Sequence, residues 1–303
     1  MKTYTWLGLM VILLLAAGCA QAPSEPVQAT MPIEPPEPTS AGSAEPYFGE
    51  AMPGDTPARF AAYIFAHEFH SPPIFSPDGR EVFWSEMEQS NGLLHRRIEN
   101  GEWTEAALVS FDTRGEGDSA FISVDGNMLL FIGGATIYQV ERIQGEWGSA
   151  VALPAAVNQR GAHWQSSLAA NGNLYFGSEG DIYVSEYVDG RYLEARNLGA
   201  PVSTAEDYES SPFIAPDGSY ILFDRSVNFT HADLYIAFRN EDGSWGDPVN
   251  MVALNTGAND LYASVSPDGS YIMFLSGRNG RGLEAFWVDA GIIEELRLVH
   301  QRD

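Results

Sequence analysis

The chain has 303 residues, with 16 Lys and Arg set against 41 Asp and Glu, a formal charge of −25. That balance excludes a nucleic-acid partner, because a phosphate backbone needs a basic face to displace its counterions. A single cysteine excludes an intrachain disulfide, and 45% hydrophobic with 12% aromatic content suffices for the core of one large all-β domain.

Residues 1–19 read as a secretory signal: Lys2, an apolar run from Trp6 to Leu15 that is short for a membrane span, then Ala16, Ala17 and Gly18 before Cys19. The stretch resembles a bacterial lipoprotein signal, although Ala16 stands where Leu is commonest. The resemblance implies cleavage before Cys19 and a diacylglycerol anchor on its thiol. Ala20, rather than Asp, after the cysteine implies the outer membrane, with the protein facing the periplasm or the cell surface. Residues 20–46 hold seven prolines and four glutamates but no aromatic residue. This composition cannot bury enough surface to offset its ordering entropy, and an extended, disordered tether is expected. The folded domain is then 47–303.

Within it one tetrapeptide returns five times: Ser76-Pro77-Asp78-Gly79, Ser123 to Gly126, Ala169 to Gly172, Ala215 to Gly218 and Ser266 to Gly269. Pro pre-sets φ, Asp or Asn closes a local hydrogen bond and Gly takes positive φ, so each copy is a hairpin tip. Positions 78, 125, 171, 217 and 268 are 47, 46, 46 and 51 residues apart, the period of a repeated supersecondary unit.

Each unit reads as four strands. One enters the turn, and an almost unbroken apolar run leaves it, as in Met128 to Ile132 or Tyr271 to Leu275. Such runs suit strands covered on both faces, as between neighbouring blades. A third strand carries Ile137-Tyr138, Ile182-Tyr183, Leu234-Tyr235 or Phe286-Trp287, more weakly Leu94-His95, and a fourth is opened by Trp103, Trp147, Tyr192 or Trp245. The fifth unit lacks its fourth strand, since 291–296 reads as a short helix. Pro57-Ala58-Arg59-Phe60 matches Pro248-Val249-Asn250-Met251 and is expected to supply it, closing the ring and removing its open edges. The expectation is an all-β, five-bladed propeller of four-stranded antiparallel blades.

The SPDG turns, the apolar strand after them, the Ile-Tyr third strand and Ser276-Gly277-Arg278 resemble the PD40, or WD40-like, repeats of TolB-type β-propellers over about 57–296. That resemblance implies a fold rather than an activity, because such blades serve scaffolds, peptidase gates and lyases alike.

Propellers bind ligands at the mouth of the central channel. Eight residues before each turn Asp or Asn stand His70, Gly117, His163, Glu209 and Asp260, and one residue later Ser71, Asp118, Trp164, Ser210 and Leu261. His67, Glu68, Glu116 and Asp207 lie just upstream. The ring reads in several ways: a hydrated polar mouth, a sugar site with Trp164 and Tyr262 as stacking platforms, or a divalent-cation site of imidazole and carboxylate. No cofactor is otherwise implied. A carbohydrate-active hydrolase or lyase would use Glu209, Asp260 and His163. No nucleophile elbow, phosphate loop or Cys–His pair is present. The favoured reading is an anchored scaffold or sensor for a protein or glycan, its membrane contact made through Cys19. The outer Trp residues read as packing, and Arg225 and Arg278 as bonded to neighbouring loops.

Overall fold

A computed structural model describes residues 45–300, apart from 66, 88–91, 113–114, 161–162 and 228–229. The signal, Cys19 and nearly all of the tether lie outside the described residues. The first described element is a 3-10 turn, Pro46–Gly49, followed by β1 (Ala58–Arg59).

Blade one contains β2 (Phe69–Phe75), β3 (Glu81–Glu86), β4 (Leu94–Glu99), β5 (Glu102–Trp103) and β6 (Ala107–Leu108). Blade two contains β7 (Gly117–Ile122), β8 (Met128–Gly133), β9 (Thr136–Ile143), β10 (Glu146–Trp147) and β11 (Val151–Ala152), and a helical turn α1 (Ala155–Asn158) leads out of it. Blade three contains β12 (His163–Leu168), β13 (Leu174–Ser178), β14 (Asp181–Ser185), the hairpin β15 (Tyr187–Val188) and β16 (Arg191–Tyr192), and β17 (Arg196–Asn197). In blade four β18 (Tyr208–Ile214), β19 (Tyr220–Ser226), β20 (Ala232–Phe238) and β21 (Val249–Asn250) follow in order. Blade five runs β22 (Asp260–Val265), β23 (Tyr271–Ser276) and β24 (Glu284–Asp289) before the terminal helix α2 (Ile292–His300). Each blade is an antiparallel meander, and β1 completes the fifth in the order β1-β24-β23-β22. The chain is a five-bladed β-propeller.

The turns form as their residues dictate. In the first, Gly79 N donates to Ser76 O at 2.8 Å, the Ser76 hydroxyl donates to Asp78 Oδ1 at 2.6 Å, and Glu81 N donates to Ser76 Oγ at 3.0 Å. Ser123 and Ser266 repeat the arrangement, while the turns opened by Ala169 and Ala215 lack the hydroxyl and keep the Gly N to Ala O bond, at 2.9 and 2.8 Å, and the bond to Asn171 or Asp217 Oδ1, at 3.0 and 2.9 Å. The glycines take φ of 66°, 71°, 87°, 74° and 75°.

Ring closure follows the expected register: Ala58 faces Trp287, Arg59 faces Phe286, and Phe60 N donates to Ala285 O at 2.9 Å. The seam between blades five and one is aromatic. Phe60 packs on Trp287 at 4.9 Å, Tyr47 on Phe75 at 4.9 Å and Phe48 on Trp103 at 4.3 Å between ring centroids. Burial of Tyr47 pushes its hydroxyl up to about 12.

One expectation needs correction. Trp103, Trp147 and Tyr192 do not open the fourth strand; they lie in a two-residue hairpin that extends the third, and the fourth begins four residues later at Ala107, Val151 and Arg196. The chain turns off the sheet after the aromatic residue and returns to pair again. Trp147 is held there by the Arg142 guanidinium, 4.1 Å from its ring.

A second regularity was not expected. Twenty-one residues after the start of the third-strand motif, Asn158, Ser203 and Asn255 accept from the N–H groups of Ile137, Ile182 and Leu234 at 2.8 to 2.9 Å. Each satisfies a donor that the short outer strand does not reach.

Candidate site at the channel mouth

The innermost strands face the axis with one edge unpaired, and all five bulge at the same place. Register breaks between Ser71 and Ile74, Asp118 and Phe121, Trp164 and Ser166, Ser210 and Phe213, and Leu261 and Ser264. Six residues before the turn Asp or Asn, Ser119, Gln165, Ser211 and Tyr262 take φ of 49°, 28°, 52° and 59°, while blade one has Pro72. Left-handed backbone at a residue with a side chain costs on the order of 1 kcal/mol each. The strain is held by bonds from neighbouring blades. Ser119 N donates to Ser71 Oγ at 3.1 Å, and Tyr262 N donates to Asp224 Oδ1 at 3.2 Å. Between blades three and four, Ile214 N donates to Ser167 Oγ at 3.0 Å.

The sequence-aligned ring divides into three groups. In the first, His70 Nδ1 lies 2.6 Å from Asp118 Oδ2, Ser85 donates to Asp118 Oδ1 at 2.5 Å, and Ser71 and Ser85 share a bond of 2.8 Å. The hydrogen bond to Asp118 raises the His70 pKa against the opposing effect of burial. Burial works to raise Asp118, yet the bonds from His70 and the serines win and its pKa is lowered. The His70 side chain remains 44% exposed, and with Nδ1 on the carboxylate, Nε2 is the nitrogen left for a ligand.

In the second group, Glu209 and Asp260 are buried and spoken for. Glu209 accepts from Thr204 N, Thr204 Oγ1 and Arg225 Nε at 3.2, 2.9 and 2.8 Å. Asp260 accepts from Thr256 N, Thr256 Oγ1 and Arg278 Nη2 at 2.6, 2.7 and 3.1 Å. Each arginine then donates to loop carbonyls, Pro201 and Val202 in one case and Leu254 in the other. The guanidiniums lie over Phe223 and Tyr235, and over Phe274 and Phe286. These carboxylates are the anchors of two matching loop clamps, with no accessible oxygen for a substrate. The arginines bond to their loops as expected.

The third group is aromatic. Trp164, 37% exposed, stands beside Gly177, whose missing side chain leaves room: a Cβ there would come within 3.1 Å of Trp164 O and 3.2 Å of its Cβ. Tyr262 is not a surface platform. It is buried within the channel, and burial raises its hydroxyl pKa, with Asp118 and Asp224 adding to the effect and a bond to Ser119 opposing it. His163 opens β12, and its side chain lies outside the described part of the structure.

Sequence reasoning missed Asp224, which accepts from Ser210 Oγ at 2.5 Å and is raised in pKa by its burial. It follows the apolar run Tyr220–Phe223 within β19, and nothing in the repeat sets it apart. Ser85 was missed likewise. Among the described residues no three His, Cys, Asp or Glu side chains group closely enough to hold a metal ion.

No family model matches the chain, and no curated protein matches it in sequence. Solved structures do match. One from Agrobacterium tumefaciens assigned as TolB is 19% identical at a TM-score of 0.50, over 69% of this chain and 70% of that one. TolB from Acinetobacter baumannii is 16% identical at 0.46, over 71% of this chain and 53% of its own, and the periplasmic gluconolactonase of Pseudomonas aeruginosa is 16% identical at 0.42, over 67% and 62%. The chain has the propeller fold of the TolB-type structure from Agrobacterium tumefaciens, built here from five antiparallel blades.

Proposed function

We propose that this chain is a periplasmic binding propeller, lipid-anchored through Cys19 to the outer membrane, whose channel mouth takes a partner, with a glycan favoured over a protein. The observation that carries this reading is the division of labour at the mouth. The carboxylates that hydrolysis or elimination would need, Glu209 and Asp260, are buried under Arg225 and Arg278, whereas Trp164 and the edge of His70 are open. An exposed aromatic face beside polar groups suits the apolar face and hydroxyls of a sugar ring. Titrating an oligosaccharide panel while following tryptophan fluorescence tests it: Trp164→Ala weakens binding at least tenfold. Unchanged affinity in that variant contradicts the reading.

A second reading, a carbohydrate-active hydrolase or lyase, is favoured by the His70–Asp118 contact, since a carboxylate on Nδ1 orients imidazole for proton transfer at Nε2. It predicts turnover that His70→Ala abolishes. Anchoring has its own test. Metabolic labelling with an alkynyl fatty acid marks the parent protein and not Cys19→Ser; equal labelling of both refutes the anchor.

A further inference from the structure

The other end of the channel is chemically different from the mouth. Between the bulges and the turns, all five inner strands contribute to a cavity of about 140 Å³ whose walls include Phe75, Phe121, Leu168, Phe213, Val265 and Met273. A cavity of about 150 Å³ with Leu, Ile and Phe walls stays dry and takes up benzene. The volume here is close to that case and the walls are mostly apolar, with Ser123, Ser264 and Ser266 among them; aromatic rings and a methionine sulfur offer the edge and face contacts that an aromatic guest prefers.

Gln165 adds a polar element. It is the bulged residue of blade three, only 3% exposed, and it lines this cavity. Its Oε1 is buried without a hydrogen-bond partner. A buried amide oxygen left unpaired costs free energy that a donor on a bound molecule recovers. Its backbone sits at φ 28°, so the fold holds this side chain at the inner end of the cavity against a local conformational cost.

We propose that the turn end of the channel is a binding site for a small neutral aromatic molecule bearing one hydroxyl, its ring among Phe121, Phe213 and Met273 and its O–H donating to Gln165 Oε1. The site is separate from the mouth and does not depend on the glycan reading.

The test uses the full chain with phenol and benzene as probes, binding being followed by NMR shifts of the Met273 methyl group. The parent binds both rings, and phenol at least fivefold more tightly than benzene. Gln165→Met, a change of similar volume, removes the preference for phenol while benzene still binds, which also reports that the variant is folded. Two results overturn the proposal: neither probe shifts Met273 in the parent, or the preference for phenol survives in Gln165→Met.

Discussion

At the scale of single residues, the same side-chain chemistry does different work according to what covers it. Glu209 and His70 occupy the same repeat position, yet Glu209 is buried under Arg225 and His70 is 44% exposed. Removing one partner of a buried pair leaves an uncompensated charge, so Arg225→Ala should lower stability by about 3 kcal/mol, read from urea unfolding. Glu209→Gln with Arg225→Met should recover much of that loss, because neither residue then carries a charge. The His70–Asp118 pair has a definite pH signature. His70 is raised above 6.5, so its contribution is complete below that value and is lost as pH rises through the folded pKa. Asp118 is lowered below 3.8, so its contribution is present above that value and lost as pH falls through its folded pKa. The pair therefore contributes fully from about 3.8 to 6.5. In an imidazole NMR titration, Asp118→Asn should move the His70 midpoint downward; an unmoved midpoint would mean that the contact is absent in solution.

At the scale of elements, the sequence carried the repeat well because its signals are local. A Pro-Asp-Gly turn and an apolar run each report their own conformation, and the match of Pro57–Phe60 to Pro248–Met251 located the closing strand. What stayed hidden depends on contacts between blades. Ser119, Gln165, Ser211 and Tyr262 share a backbone conformation across three different side-chain types, and their bulges are stabilised by bonds such as Ser119 N to Ser71 Oγ across 48 positions. The buried state of Glu209 and Asp260 was illegible for a related reason: the arginines that cover them come from the end of the next strand, and a carboxylate at a strand start reads alike whether open or clamped. Closure should be the expensive joint to break. Phe60 is 1% exposed within the aromatic seam, so Phe60→Ala should cost about 3–5 kcal/mol in thermal or urea unfolding. Ser76→Ala, which removes turn hydrogen bonds, should cost about 1 kcal/mol.

At the scale of the whole molecule, the five blades give a channel with two unlike ends. The mouth is polar, carries the exposed Trp164 and His70, and is bordered by loops clamped by Arg225 and Arg278. The turn end is mostly apolar and lined by inner strands of all five blades. Rigid loops around an open aromatic and an imidazole make a preorganised surface for recognition, which lowers the ordering cost of binding. Among the described residues no helix is long and apolar enough to cross a membrane. The most direct test is saturation-transfer NMR of the intact protein with an oligosaccharide panel, which reads binding and any product in one sample. Ligand signals should persist for hours without product and disappear in Trp164→Ala. Product formation that His70→Ala abolishes, or binding indifferent to Trp164→Ala, would contradict the glycan-binding reading.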